Sequence, residues 1–162
     1  MIEQQLEEKY YELQWYDAEI KRIEGLIKEV ELQLQDVQDV TGSIDQISAL
    51  PEGTKILAPL ANGIFVEAIL GNPKRFWVNV GNQVVIIQPA AKTQQLMQAH
   101  SKELETHKHN LLGKLTYLLD QTKKLEQEIV ALTSRYEQTY GLSKAPTTSY
   151  EPSTVKGKKG PS

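Results

Sequence analysis

The sequence predicts a mainly α fold with a small β insert: a long antiparallel two-helix coiled coil with two β-hairpins at one end. Two observations predict the helices, namely the heptad patterns of apolar residues near each end of the chain. A third is a central segment in which short runs rich in Ile and Val are separated by turn residues, as in paired strands. The 162 residues are only 40% hydrophobic, below the usual range of about 45–50%, and this favours an elongated fold over one thick core.

The first helix is indicated by apolar residues at alternating steps of four and three. These are the a and d positions of a heptad, broken only at Lys9 and Thr41. No proline occurs before Pro51, so nothing interrupts the helix. The two series are Leu6, Leu13, Ile20, Ile27, Leu34, Thr41 and Ile2, Lys9, Tyr16, Ile23, Val30, Val37, Ile44.

The second helix repeats this pattern near the other end of the chain. Pro89 and two alanines suit its first turn, and Gly141 suits its end. Two helices with one seam each bury those seams by folding back antiparallel, which leaves the insert at one end and the termini at the other. The two series are Met97, Leu104, Leu111, Leu118, Leu125, Leu132 and Ser101, Lys108, Leu115, Thr122, Ile129, Tyr136.

The segment between the helices reads as two hairpins. Residues 56–60 and 64–70 flank Ala61-Asn62-Gly63, and residues 76–80 and 84–87 flank Gly81-Asn82-Gln83. Pro59 has no N–H to donate, so its nitrogen is expected at an edge or a bulge. The predicted domains are therefore the first helix at 1–49, the hairpins at 50–88, the second helix at 89–141 and a disordered tail at 142–162.

The hairpins carry more apolar residues than four strands can bury, and they have open edges. Such edges invite pairing with strands of another chain, so we interpret the insert as an oligomerisation module. The alternative is that the hairpins fold over the helix ends as the cap of a monomer. The residues expected to carry assembly are Ile56, Leu60, Ile64, Val66, Trp77, Val78, Val80, Val84 and Ile86.

No constellation in the sequence suits catalysis, a cofactor or a metal. The chain has no cysteine, its three histidines lack the spacing of a shared helical face, and no phosphate-binding glycine motif occurs. A net charge of −3 and a body more acidic than the lysine-rich tail disfavour nucleic acid. No apolar run is long enough for a membrane. We therefore expect a cytoplasmic protein that is not an enzyme, with no catalytic, cofactor-binding or metal-binding residues.

The free end of the helix pair is unusually aromatic. Residues 2–20 and 122–140 would meet there and offer more apolar surface than two seams bury, which could bind exposed apolar segments of another protein. Alternatively, the aromatic residues shield the seam or pack on a neighbouring subunit. The candidate client-binding residues are Leu6, Tyr10, Tyr11, Leu13, Trp15, Tyr16, Ile129, Leu132, Tyr136 and Tyr140.

The order helix, two hairpins, helix resembles the alpha-class subunit of archaeal-type prefoldin over residues 2–140. Residues 50–60, Leu-Pro-Glu-Gly-Thr-Lys-Ile-Leu-Ala-Pro-Leu, are similar to the family's Gly-Thr, aliphatic and Pro-Leu segment. Residues 62–66 match its glycine, aromatic and valine, and residues 79–81 match its Val-Gly turn. Gln88-Pro89-Ala90-Ala91 departs from the charged helix entry that is common in the family.

The resemblance implies an ATP-independent holdase: a hexamer of two alpha and four beta subunits joined by their hairpins. It implies that the coiled-coil tips hold unfolded proteins and deliver them to a group II chaperonin. Its partners would be beta-class subunits, a second alpha subunit, unfolded polypeptide and the chaperonin. The competing interpretation is a structural coiled-coil adaptor or tether without client-holding activity, and a weaker one is an accessory subunit of a hydrolase or transferase.

Overall fold

The computed structural model describes residues 1–141. The elements follow in the order α1 (Ile2–Ser48), β1 (Lys55–Ala61), β2 (Ile64–Ile69), β3 (Arg75–Asn79), β4 (Val85–Pro89) and α2 (Ala90–Tyr140). Two long helices and two antiparallel strand pairs confirm the predicted fold class. The predicted tail, 142–162, lies outside the described residues. Neither helix in residues 1–141 is long and apolar enough to cross a membrane.

The chain divides into two compact units, each containing part of both helices. The first unit comprises Met1–Ile23 with Lys114–Ser162, described as far as residue 141. The second unit comprises Glu24–Gly113 and therefore contains all four strands. Each unit is described below by itself.

The first unit is held by an apolar cluster between α1 and α2. Leu6 and Leu13 of α1 are almost fully buried against Leu125, Ile129 and Tyr136 of α2. Two polar contacts show the helix direction, because Glu3 meets Tyr136 and Lys9 meets Glu128. Rising numbers on α1 thus meet falling numbers on α2, which is the predicted antiparallel arrangement. Four half-buried residues, Ile2, Tyr10, Tyr16 and Leu132, pack against the cluster.

Within the second unit the two helices are also antiparallel. Lys108 Nζ lies 2.7 Å from Glu31 Oε1, and the Gln94 side chain donates a hydrogen bond to Asp45 Oδ1. The buried seam residues of this unit are Val30, Val37, Ile44, Leu104 and Leu111.

The deepest position of α1 changes from one predicted series to the other along the helix. Leu6 and Leu13 belong to the first series, whereas the buried Ile23, Val30 and Val37 belong to the second. A straight α-helix drifts by about 20° per heptad relative to a repeat of 3.5 residues per turn. That drift is sufficient to bring the neighbouring series into the centre of the seam after a few heptads.

The two hairpins form separate two-stranded sheets, β1 with β2 and β3 with β4. The first turn is two residues long, since Ala61 pairs with Ile64, and Gly63 there has a φ of 79° that glycine adopts easily. The second is closed by a hydrogen bond of 2.9 Å from Val80 N–H to the Val84 carbonyl. Antiparallel pairs such as Leu57 with Glu67 and Trp77 with Ile87 then follow along each ladder.

Neither proline in the strands removes a hydrogen bond between paired strands. Leu70 N–H donates to the Thr54 carbonyl, and Ala90 N–H donates to the Lys74 carbonyl. Because backbone groups alternate between the partner and the outside, the nitrogens of Pro59 and Pro89 point away from β2 and β3. Pro59 therefore occupies an edge, as its chemistry requires. Pro89 is the last residue of β4, and α2 begins one residue later.

Candidate functional site

All ten residues proposed from sequence as client contacts belong to the first unit, but their exposure differs. Leu6, Leu13, Ile129 and Tyr136 are buried between the helices, and Tyr10, Tyr16 and Leu132 are half-buried. Tyr11 is 65% exposed, Trp15 is 60% exposed and Tyr140 is 54% exposed. Among the ten candidate residues, those three have the largest exposed fractions.

Four aromatic side chains of the first unit form two pairs. The rings of Trp15 and Tyr16 meet edge to face at 5.2 Å, and those of Tyr136 and Tyr140 lie 4.9 Å apart. One residue of each pair contacts the buried cluster, while the other stays exposed. The exposed rings are thereby anchored on the seam, which limits the conformational entropy lost when a partner covers them.

Tyr136 also binds across to α1 through its hydroxyl group. The hydroxyl donates a hydrogen bond of 2.7 Å to Glu3 Oε1. This bond stabilises the protonated phenol, and it raises the pKa of Tyr136 above its ordinary value of 10.0. The residue thus joins the two helices through both an apolar ring and a polar link.

The first unit also contains ion pairs. Lys9 Nζ lies 2.5 Å from Glu128 Oε2 on the opposite helix, and this hydrogen bond raises the pKa of Lys9. Arg22 donates two hydrogen bonds to Glu19, which lower the pKa of the Glu19 carboxyl. The paired charges are therefore neutralised within the chain.

A groove of about 470 Å³ opens beside the Lys9–Glu128 pair. Leu132 and Ala131 supply apolar walls, while Glu8 and Arg135 supply charges of opposite sign. The groove is mixed in character and suits side chains better than a small apolar ligand. Within residues 1–141, no three His, Asp or Glu side chains converge as metal ligands would.

The second candidate surface is formed by the strands of the second unit. Among the nine residues proposed for assembly, Leu60 and Trp77 are the most exposed, at 71% and 72%. Ile64, Val66, Val80, Val84 and Ile86 are also exposed, whereas Ile56 and Val78 are half-buried. The hairpins thus present large apolar side chains that no other described residue covers.

Sequence reasoning missed part of this strand surface. Leu57, Phe65 and Ile69 are all more than half exposed, and the ladder register places them on one face of the first hairpin. Val85 of β4 is exposed as well. The overlooked signal is that apolar residues occupy consecutive positions in β2 and β4, so both faces of each hairpin are apolar.

The hairpin edges are open among the described residues. In β2 the backbone groups of Phe65, Glu67 and Ile69 point away from β1, and in β3 those of Arg75 and Trp77 point away from β4. Unpaired edges beside exposed apolar side chains are typical of strands that pair with another chain.

Comparison with known proteins gives a consistent family. The family model described as "Prefoldin subunit" matches residues 16–135. Prefoldin subunit alpha of Archaeoglobus fulgidus is 20% identical over 129 residues, which cover 80% of this chain and 94% of that protein. Prefoldin subunit alpha of Thermofilum pendens is 22% identical and covers 65% of this chain and 84% of its own length.

A third relative and a solved structure agree. Prefoldin subunit alpha of Methanococcus maripaludis is 23% identical, covering 66% of this chain and 72% of that protein. A chain of filamentous PFD from Methanocaldococcus jannaschii, solved by cryo-EM, superposes with a TM-score of 0.67 at 18% identity, covering 74% of this chain and 98% of that one. The chain therefore belongs to the prefoldin subunit family, as a chaperone subunit of the archaeal alpha type.

Proposed function

We propose that the chain holds unfolded polypeptides, without ATP, through the aromatic surface of its first unit. The observation that carries this proposal is the exposure of Tyr11 and Trp15, at 65% and 60%, on a protein of the prefoldin family. Large exposed aromatic side chains are the residues that most often dominate the binding energy of protein interfaces. A tether that never bound clients would instead cover these rings with a neighbouring subunit.

The expected strength of one site suits temporary holding. Burying an apolar side chain of a client contributes about 1.5–3 kcal/mol, and part of this is offset by ordering the client. One subunit alone should therefore bind weakly. Several subunits in one assembly raise the affinity through effective concentration, while each single contact still opens quickly.

Assembly through the hairpins is the second part of the proposal. The apolar strand residues and open edges support pairing with beta-class subunits and a second alpha subunit, in a hexamer of two alpha and four beta chains. Burying Trp77, Leu60 and their neighbours between chains removes apolar surface from water. In this proposal the hexamer is cytoplasmic and passes its clients to a group II chaperonin.

Suppression of aggregation tests the proposal. The variant Y11S/W15S, in the assembled complex, should suppress light scattering of a denatured protein less than the wild type does. The matched control is Y117S/L119S, which removes an aromatic residue of 61% exposure and a half-exposed leucine from α2 of the same unit. Equal suppression by the wild type and Y11S/W15S, with intact complexes, would favour the structural adaptor.

A further inference from the structure

Resting on the proposed function, we propose that the Tyr11–Trp15 face prefers apolar client segments that carry Lys or Arg. We define this face by the five residues Glu7, Glu8, Tyr11, Glu12 and Trp15. The preference follows from carboxylates that surround the two exposed rings and that form no ion pair with a basic residue of the described chain.

The helix geometry of α1 places these five side chains together. Trp15 follows Tyr11 by four residues, Glu7 and Glu8 precede Tyr11 by four and three, and Glu12 precedes Trp15 by three. Residues with these spacings are neighbours on a helix surface. All five are exposed. A segment that covers the rings must therefore lie beside carboxylates.

The carboxylates of Glu7, Glu8 and Glu12 form no ion pair among residues 1–141. The ion pairs of the first unit there are Lys9 with Glu128, Arg22 with Glu19 and Lys124 with Asp120, and none of these uses Glu7, Glu8 or Glu12. Arg135 lines the same groove as Glu8, but the two form no ion pair. Lys9 also attracts Glu8 and Glu12 electrostatically, but its ammonium group is already hydrogen-bonded to Glu128. The three carboxylates therefore keep an excess of negative charge.

A basic apolar segment matches both properties of this face. Its aliphatic or aromatic side chains would cover Tyr11 and Trp15, and its Lys or Arg would lie near the rim carboxylates. Cations also bind favourably over the face of a Trp or Tyr ring. An acidic segment would gain the same apolar contact and lose affinity through like-charge repulsion. The face therefore discriminates by charge among clients of equal hydrophobicity.

Two labelled peptides with the same apolar core test this inference. One carries two lysines at each end of the core, and the other carries two glutamates. Fluorescence anisotropy with the assembled wild-type complex should give roughly tenfold tighter binding of the lysine peptide at low salt, because several exposed charge pairs act together. The ratio should approach one at about 0.5 M salt, where the Debye length is only a few ångströms.

Substitutions locate the preference. E8Q/E12Q should reduce the ratio of the two peptide affinities to about threefold or less. It should not weaken binding of the glutamate peptide. The matched control E29Q/E105Q removes two exposed carboxylates from the second unit and should leave the ratio unchanged. Y11S/W15S should weaken the binding of both peptides, because it removes the apolar contact that they share.

The outcomes separate this inference from the proposed function. Equal affinity for both peptides, or a ratio that E8Q/E12Q leaves intact, would overturn the charge preference while client binding stands. If neither peptide binds the wild type, or Y11S/W15S binds both unchanged, the proposed client surface is wrong and this inference falls with it.

Discussion

Lys9 Nζ on α1 lies 2.5 Å from Glu128 Oε2 on α2, and Lys9 occupies a position of the heptad seam. The second unit contains an equivalent pair, because the seam residue Lys108 of α2 lies 2.7 Å from Glu31 of α1. A charged residue at a seam position is satisfied only where its partner meets it, so it specifies the helix register. Each unit thus contains one ion pair between the helices that specifies their antiparallel alignment.

Reversing one charge of the Lys9–Glu128 pair should destabilise the chain, and exchanging both charges should restore its stability. K9E places a carboxylate beside Glu128, and we expect a loss of up to about 1 kcal/mol, since both groups are partly exposed. This corresponds to a fall in Tm of roughly 2–4 °C. K9E/E128K should recover most of the loss in thermal unfolding at low salt. A double variant no more stable than K9E would contradict the role of the pair.

Alkaline pH should lower the Tm of the wild type relative to that of Y136F. The hydrogen bond to Glu3 raises the pKa of Tyr136 above 10.0 in the folded chain, so the folded state holds this proton more tightly than the unfolded state. Its contribution is complete below pH 10 and is lost as the pH rises through the folded pKa. The difference in Tm between wild type and Y136F should be constant up to about pH 10 and narrow above it. A difference that stays constant at higher pH would show that the bond is absent in solution.

The seam should be far more sensitive to truncation than the outer helix surface. Leu13 is almost fully buried, whereas Leu32 is 62% exposed. We expect L13A to lower the free energy of unfolding by about 2–4 kcal/mol, through lost burial and a cavity. L32A should change it by no more than about 0.5 kcal/mol. Urea unfolding at fixed protein concentration measures both, and equal effects would contradict the assigned seam.

Charges placed on the strands should release the chain from its assembly. V66D/V80D puts carboxylates on exposed apolar positions of the hairpins, where a partner strand would have to bury them at a high desolvation cost. Sedimentation should then show a smaller species that keeps its helical circular dichroism.

The matched control for the strands uses the same chemical change on the helices. Val40 and Val130 are exposed to a similar or greater degree, and V40D/V130D should leave the complex at its wild-type mass. If both double variants lost assembly, or neither did, the hairpins would not be the module that joins the subunits.

The sequence predicted the helices and their direction well because a heptad pattern depends on one chain alone. Every fully buried aliphatic residue of α1 belongs to one of its two predicted series. The drift of burial from Leu13 to Ile23 was not anticipated, since it depends on accumulated helix geometry. Partners of seam residues, such as Glu128 for Lys9, also required the register of the two helices.

The candidate surfaces were harder to predict in detail. Apolar patterning groups Leu6 and Leu13 with Trp15 as client contacts, although the packed helices bury the two leucines and leave the tryptophan exposed. The exposure of Leu57, Phe65 and Ile69 does not follow from the sequence, because a two-faced apolar hairpin gives no clear alternation. Which side chains stay exposed depends on the helix register and the strand pairing, and neither follows from apolar patterning alone.

Direct contact between Trp15 and an unfolded client is the central claim, and photocrosslinking tests it most directly. Benzoylphenylalanine placed at position 15 in the assembled complex should crosslink to a denatured protein on irradiation. The same group at position 117, equally exposed on α2, should give little product, and a native client should give none at either position. Equal crosslinking from both positions, or none from position 15 while the complex still suppresses aggregation, would contradict the account.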